Sequence, residues 1–200
     1  MPEKKTAWSA FLTRYRDDPA GFSEHVIKME PLPWQREVMD AIGAGERRIS
    51  VRSGHGVGKS SCAASIILWY LLTKYPAKVV VTAPTASQLY DALFAEVKRR
   101  LKEMPPAIGK LLEATSDRIV LKSSPTEAFC SARTSSKERP ESLAGVHSEH
   151  VLLISDGGSS SPEESYDTAA GSKSGYNATS LLLGHPTRTG GFFYRTHTDL

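Results

Sequence analysis

The stretch from Arg48 to Ser61, RISVRSGHGVGKSS, constrains the fold more than any other part of the chain. A short β-branched run comes first, a glycine-rich turn follows, and an apolar helix opens at Lys59. Glycines in the turn allow backbone conformations that a side chain would forbid, so successive N–H groups can point at one anion. The helix N-terminus and the lysine add positive charge at the same place. This order of parts predicts a phosphate-binding loop between a strand and a helix.

The loop departs from the strict P-loop pattern G-x-x-x-x-G-K-[ST] at one position, because Ser53 stands where the first glycine is expected. The pattern places Lys59 near the β- and γ-phosphates of a nucleotide and the Ser60 hydroxyl on Mg²⁺. The residues predicted to bind the nucleotide here are Ser53, Gly54, His55, Gly56, Val57, Gly58, Lys59, Ser60 and Ser61. The alternative is a glycine-rich turn before a core helix, with an incidental lysine.

Length and composition permit one domain with a substantial core. The chain has 200 residues, 40% of them hydrophobic, and a net charge of +3 that permits a nucleic-acid partner without demanding one. Cys62 and Cys130 have neither metal-ligand nor redox spacing, so we expect reduced core thiols in a cytoplasmic protein. The charged Met1–Thr6 does not resemble a signal peptide. The apolar run Ser65–Leu72 is far shorter than the roughly 20 residues that span a bilayer, so we expect no membrane partner.

Alternating strand and helix patterns predict an α/β fold with a mostly parallel sheet flanked by helices. We expect a helical extension over residues 1–30 and the P-loop domain over 31–200. Apolar runs predict strands at 78–82, 150–155 and 180–184, and a hairpin at 118–122 and 128–133. A helix should begin at Thr85, where Thr85 and Gln88 fit a capping box. In such a sheet the site lies at the carboxyl ends of the strands.

The run from Val151 to Asp156 supplies the second half of a nucleotide site. Apolar residues would carry the Asp156 carboxylate to the strand tip beside the P-loop, where it would hold Mg²⁺ together with Ser60. The alternative is a core strand that ends in a turn-forming aspartate. Gln35, beside Trp34 and upstream of the loop, could recognise adenine through its amide donor and acceptor. Its alternative role is that of a surface residue at a helix N-terminus.

Four segments in order carry a resemblance to a known family: RSGHGVGKSS, VVVTAPTASQ, RPESLAGVHSEHVLLISD and LLLGHPTRTGGFFY. Together they resemble the ATPase domain of tailed-phage large terminases, the DNA-packaging motors. The resemblance implies a RecA-like fold, ATP and Mg²⁺ as ligands, and a homo-oligomeric ring around double-stranded DNA in the host cytoplasm. It also implies portal and small-subunit partners. By resemblance, Gln35 matches the adenine motif, Gly184–Thr187 the γ-phosphate-sensing coupling motif, and Arg139 an arginine finger.

The chain departs from the family where hydrolysis is concerned. Gly157 follows Asp156, whereas the family has a catalytic glutamate there, and His185 stands where the family has asparagine. General-base assistance contributes roughly 10²–10⁴-fold, so we expect ATP to bind and to turn over slowly. Replacing Gly157 by Glu should then raise the rate. The nearest other carboxylates in sequence are those of Glu149, Glu163 and Glu164.

Three functions therefore stay open from the sequence. The first is a motor ATPase that translocates DNA, and the second is an assembly module that binds ATP without useful turnover. The third is a helicase-like core, which would need a second such core that 200 residues cannot hold. The family's C-terminal nuclease domain has no counterpart in these residues, so we expect no DNA cleavage.

Overall fold

A single mixed sheet forms the centre of the computed structural model, which describes residues 2–134, 146–157, 177–187 and 192–198. Its strands are β1 (Arg48–Arg52), β2 (Ala77–Ala83), β3 (Leu112–Ala114), β4 (Arg118–Leu121), β5 (Ala128–Thr134), β6 (His150–Asp156) and β7 (Asn177–Gly184). They lie in the order β1-β7-β6-β2-β5-β4-β3. All neighbours from β1 to β5 are parallel, whereas β4 and β3 pair antiparallel at one edge. The predicted mostly parallel α/β fold is confirmed.

The strands predicted from apolar runs are present, with small changes at their ends. β2 and β6 lie in the middle of the sheet and are buried along nearly their whole length. Continuous apolar runs of this kind are typical of parallel strands that are covered on both faces. The predicted hairpin is present as β4 and β5. The sequence does not predict β3, because three residues are too few to show a periodic pattern.

Helices pack against this sheet and against each other. The α-helices are α1 (Pro2–Tyr15), α2 (Pro19–Phe22), α3 (Pro33–Gly43), α4 (Lys59–Thr73), α5 (Ala95–Glu103), α6 (Pro106–Gly109) and α7 (Phe192–Arg195). Two π-helical segments, Ser23–Ile27 and Ser87–Phe94, continue α2 and lead into α5. Helix α4 is buried from Cys62 to Leu72, as its apolar pattern on all sides predicts. None of the described helices has the length and apolar character that a membrane span requires.

The N-terminal helices belong to the main hydrophobic core. Tyr15 and Phe22 are 6% and 0% exposed and pack in the same cluster as α4. The Trp69 indole N–H of α4 donates to the Tyr15 carbonyl oxygen at 2.6 Å. The chain turns between α1 and α2, where the Asp18 carboxylate accepts from the Gly21 N–H at 2.8 Å. Helices α1 and α2 are therefore anchored to α4, the helix that follows the P-loop.

The parallel strands bring three segments together at one edge of the sheet. Because β1, β7, β6 and β2 run in the same direction, their carboxyl ends meet there. The Ser53 N–H, just after β1, donates to the Gly184 carbonyl oxygen of β7 at 3.0 Å. The Gly157 N–H, just after β6, donates to the Leu183 carbonyl oxygen at 2.8 Å. The loop after β1, the tip of β6 and the residues after β7 therefore form one site.

Candidate functional site

The phosphate loop, residues 53–60, connects β1 to α4 as the sequence predicts. Gly56 and Gly58 have φ of 71° and 87°, a left-handed conformation that glycine adopts without steric cost. A side chain at Gly58 is excluded for a second reason, because its Cβ would lie 2.7 Å from the Gln35 Nε2 atom. Helix α4 begins at Lys59, directly after this glycine. The free N–H groups of the first turn of α4 therefore open toward the loop.

The start of α3 braces the phosphate loop. The Gln35 Nε2 donates to the Gly58 carbonyl oxygen at 2.8 Å, while its Oε1 accepts from the Leu32 N–H at 2.9 Å. The Trp34 indole N–H donates to the Val57 carbonyl oxygen at 3.2 Å. Gln35 is only 3% exposed, so its amide is largely engaged within the protein. The structure thus shows a bracing contact for Gln35, and its role in adenine recognition stays a prediction.

Lys59 and Asp156 act on the same space at the sheet edge. The Lys59 ammonium donates to the Gly54 carbonyl oxygen within the loop, and its charge also acts on the Asp156 carboxylate. Asp156 is 5% exposed, and this burial raises its pKa. The charge of Lys59 and hydrogen bonds from the Gln88 side chain and the Gly157 N–H offset that rise only in part. A further cation beside such a carboxylate would stabilise its ionised form.

The donors around this space suit a nucleotide with Mg²⁺. Ser60 lies in the first turn of α4, and Mg²⁺ is usually held by one or two carboxylates together with phosphates and waters. The Ser53 hydroxyl is buried and has no hydrogen-bond partner within the described part of the chain. A phosphate oxygen would satisfy it. Among the described residues, no three or more His, Cys, Asp or Glu side chains form a group that could hold a metal.

Gly157 is held in a conformation that opposes any side chain. Its φ is 87°, and a Cβ at this position would lie 2.9 Å from the Pro84 Cδ atom and 2.9 Å from the Gln88 Nε2 atom. A side chain at position 157 is therefore opposed by the backbone conformation as well as by its neighbours. The expectation that Gly157→Glu simply restores activity needs correction, because the new side chain does not fit beside Pro84 and Gln88 in this arrangement.

Two histidines connect the phosphate loop to the residues after β7. The His185 Nδ1–H donates to the Ser53 carbonyl oxygen at 3.1 Å, and the ring centroids of His55 and His185 lie 4.1 Å apart. His185, which stands where the family has asparagine, therefore contacts the loop directly. The sequence does not predict that His55 has this partner. Thr187 lies two residues further on and is exposed, so its role in sensing phosphate stays a prediction.

The Ser61 side chain takes part in a contact between α4 and α5. Its hydroxyl donates to the Glu96 Oε1 atom at 2.9 Å. Glu96 also accepts from Arg99 and Arg100, which belong to the basic run on α5. The structure therefore leaves the Ser61 backbone N–H, and not its hydroxyl, for the predicted nucleotide contact. Arg99 and Arg100 are thus paired with Glu96 and Glu103 on the same helix.

Several predicted residues lie elsewhere. Arg139, Glu163 and Glu164 fall outside the described residues. Glu149 is exposed and precedes β6, at the opposite end of the strand from Asp156. A strand of this length spans about 20 Å, so Glu149 is too far away to act on the same substrate atoms. Glu149 is therefore not placed to act beside Asp156.

The fold and the geometry of the loop together define an α/β domain with a RecA-like fold and a P-loop between β1 and α4. No protein-family model matches the sequence. A curated relative, the "Probable terminase, large subunit" of Enterobacteria phage P7, is 28% identical over 199 residues. The match includes 96% of this chain and 40% of the relative, so the chain spans well under half of that protein's length.

Solved structures give the same answer for the fold. The large terminase ATPase domain of Thermus phage P74-26 matches with a TM-score of 0.63 and 17% identity, over 89% of this chain and 73% of that chain. A mutant of that domain matches with a TM-score of 0.64 and 18% identity, over 88% and 73%. The large terminase of a thermophilic bacteriophage, in complex with ADP, gives 0.52 and 15%, over 76% and 36%. The resemblance to large-terminase ATPase domains is thereby confirmed.

Proposed function

We propose that this chain is the ATPase domain of a viral DNA-packaging terminase large subunit. It binds ATP with Mg²⁺ and couples slow hydrolysis to the translocation of double-stranded DNA. The observation that carries the proposal is the convergence of Lys59 and Asp156 beside a loop of left-handed glycines. The names of the relatives support it, because they are large terminases or their ATPase domains.

Different residues of the site bind the phosphates and the Mg²⁺ ion of the nucleotide. The N–H groups of the phosphate loop and the Lys59 ammonium hold the phosphates, and the Ser53 hydroxyl completes the cradle. Ser60 and Asp156 hold Mg²⁺, which neutralises charge on the phosphates when it is bound. To reach a phosphate, Lys59 exchanges its hydrogen bond to the Gly54 carbonyl for one to the ligand. The solved complex of the thermophilic bacteriophage's large terminase with ADP supports a nucleotide as the ligand.

Hydrolysis is weakened because Gly157 offers no proton acceptor beside Asp156. Positioning of the phosphates survives, whereas general-base assistance of roughly 10²–10⁴-fold is missing. The family resemblance supplies the other proposed roles: adenine recognition by Gln35, phosphate sensing by Thr187, and an arginine finger at Arg139. The same resemblance implies a homo-oligomeric ring in the host cytoplasm, with the portal protein and a small subunit as partners.

A second function is favoured by Gly157 itself. A chain that binds ATP but cannot deprotonate the attacking water could serve as an assembly module, in which the nucleotide stabilises contacts between neighbours in a ring. This function needs the same phosphate loop and the same Asp156. It differs from the motor function in having no useful turnover to drive the translocation of DNA, so the rate of turnover separates the two.

The test measures the affinity for a non-hydrolysable ATP analogue with Mg²⁺ and the steady-state release of phosphate on the same sample. Lys59→Ala should weaken binding by about 10- to 100-fold, since a charged hydrogen bond is worth about 1.5–3 kcal/mol. The exposed Lys110 supplies a matched control, and Lys110→Ala should leave binding unchanged. Equal binding by both variants would overturn the proposal. Turnover at or above about 1 s⁻¹ would contradict weakened hydrolysis, and turnover indistinguishable from that of Lys59→Ala would favour the assembly module.

A further inference from the structure

The side chain of Gln88 lies in the space that a residue larger than glycine would need at position 157. The Gln88 Nε2 atom is 2.9 Å from the position of a Cβ built on Gly157, and the same side chain donates to the Asp156 carboxylate. The sequence predicts a different role, in which Gln88 closes a capping box with Thr85. Only half of that box is present: the Thr85 Oγ1 accepts from the Gln88 N–H at 3.1 Å. The Gln88 amide instead contacts Asp156 at the carboxyl end of β6.

We propose that Gln88 positions the attacking water in this chain, in the place of the missing catalytic carboxylate. The inference rests on the proposed function, since it requires ATP at the phosphate loop. One N–H of the Gln88 amide serves Asp156, which leaves a second N–H and the carbonyl oxygen for a water molecule. An amide orients water through these groups, and a glutamine has this role in P-loop GTPases.

The chemistry balances without a basic side chain. The water oxygen forms a bond to the γ-phosphorus while the bond from that phosphorus to the β–γ bridging oxygen breaks, which releases ADP. The proton lost by the water goes to an oxygen of the transferred phosphoryl group, because the Gln88 amide accepts a hydrogen bond but not a proton. Gln88 thus supplies orientation, whereas a carboxylate would supply orientation and basicity. Slow turnover is the expected consequence.

The local structure explains why the amide is available at this place. Gln88 sits in the first turn after β2, whose carboxyl end lies next to that of β6. Its neighbour Leu89 is 0% exposed and anchors this turn to the core, while Gln88 itself is half-buried at the edge. A Cβ at position 157 and the amide at position 88 exclude each other in this arrangement. Glycine at position 157 therefore leaves open the space that the Gln88 amide occupies beside Asp156.

The test compares Gln88→Ala with Ser87→Ala, a neighbour in the same turn that is exposed to solvent. Three quantities are measured: the affinity for ADP, the affinity for ADP with aluminium fluoride as a mimic of the transferred phosphoryl group, and phosphate release. Gln88→Ala should weaken the aluminium fluoride complex and lower kcat by about 10- to 100-fold, with ADP affinity and KM unchanged. Ser87→Ala should match the parent in all three.

The outcomes separate this proposal from the proposed function. If the parent does not bind ADP, the proposed function fails. If the parent binds ADP and its aluminium fluoride complex but Gln88→Ala matches it throughout, only the role of Gln88 is overturned. An equal loss of affinity for ADP alone and with aluminium fluoride would show that Gln88 merely supports Asp156, and would also overturn it. Thermal unfolding without nucleotide should stay cooperative in both variants, with a modest loss of stability in Gln88→Ala alone, because that change removes a hydrogen bond to the buried Asp156.

Discussion

The phosphate loop and the tip of β6 lie side by side, yet they depart from their expected patterns in opposite ways. The loop has Ser53 in place of a glycine, but it keeps its left-handed glycines, its lysine and the opening of α4. The tip of β6 keeps the Asp156 carboxylate and then has a glycine in a crowded, left-handed position. One departure leaves the geometry of binding unchanged. The other leaves no side-chain functional group at position 157, where a Cβ would crowd Pro84 and Gln88.

Under the proposed function, this difference means that binding and hydrolysis depend on separate parts of the site. Phosphate binding uses backbone N–H groups and one charge, so it tolerates a serine whose hydroxyl can face the ligand. Hydrolysis uses one group placed to within a fraction of an ångström of the attacking water. We therefore expect a change at Gly157 to affect turnover and to leave the phosphate loop intact, so variants in one region should spare the other.

The largest effect is expected from Gly157→Glu. The left-handed φ of 87° and the 2.9 Å approach to Pro84 should together destabilise the fold by about 2–4 kcal/mol, with no gain in phosphate release. For a chain of this size the melting temperature should fall by roughly 2–4 °C per kcal/mol. Thermal unfolding and phosphate release on the same samples check both statements.

Two further variants make this result specific. Gly157→Ala adds only a Cβ and should account for most of the loss, whereas Gly54→Ala adds a Cβ with no atom within 4 Å and should cost less than about 1 kcal/mol. Faster phosphate release by Gly157→Glu at unchanged stability would mean that the tip of β6 rearranges freely. The contrast between the two regions would then be a property of sequence alone.

A smaller effect is expected where α3 braces the phosphate loop. Gln35→Ala removes hydrogen bonds to the Gly58 carbonyl and the Leu32 N–H, which should destabilise the fold by about 1–3 kcal/mol. Because the brace acts on the loop, this variant should weaken an ATP analogue and inorganic tripolyphosphate by the same factor. Calorimetric titration of the two ligands measures that ratio.

The ratio distinguishes the two roles of Gln35. If its amide recognises adenine, the ATP analogue should lose affinity in Gln35→Ala while tripolyphosphate, which has no base, keeps it. Glu37→Ala supplies the control, because Glu37 is exposed on the same helix and should change neither ligand's affinity. A base-dependent loss would show that the brace is secondary, and that the function predicted from the sequence is the correct one for this residue.

The parts of the fold that follow from local patterns could be predicted from the sequence. The apolar runs of β2 and β6 specify buried parallel strands, and the all-apolar α4 specifies a buried helix. Cys62 and Cys130 are free and buried, as their spacing predicts. The three residues of β3 and the π-helical turn at Ser87–Phe94 are not predictable in this way, because tertiary packing decides them.

Within the site, residue type predicts the partner of some side chains but not of others. The residue types at Lys59 and Asp156 predict their ligands, phosphate and Mg²⁺, because a lysine and an aspartate at these positions of the pattern have few other roles. Amides are less specific. Gln35 and Gln88 each carry a donor and an acceptor, so the sequence permits adenine recognition by Gln35 and a capping box at Gln88. In the structure, Gln35 instead donates to the Gly58 carbonyl oxygen, and Gln88 donates to Asp156. Such choices depend on neighbours that are distant in the chain.

The smallest effect is expected at Ser61, which adjoins the phosphate loop in sequence but contacts α5 through its side chain. Ser61→Ala should cost about 1 kcal/mol of stability and leave nucleotide affinity unchanged, whereas Ser60→Ala should weaken affinity only in the presence of Mg²⁺. Burial alone would raise the pKa of Glu96, but hydrogen bonds from Arg99, Arg100 and Ser61 lower it below its ordinary 4.5.

The sign of the pH dependence follows from that lowered pKa. The ionised Glu96 stabilises the fold above pH 4.5, and this contribution is lost as the pH falls through the lower pKa of the folded state. Removing the Ser61 hydroxyl takes away one of the hydrogen bonds, so the stability difference between Ser61→Ala and the parent should shrink as Glu96 becomes protonated. Thermal unfolding from pH 7 to pH values below 4.5 measures this. A difference that persists in acid would show that the hydroxyl does not act through the ionised Glu96, and a loss of nucleotide affinity in Ser61→Ala would assign the hydroxyl to the phosphate loop.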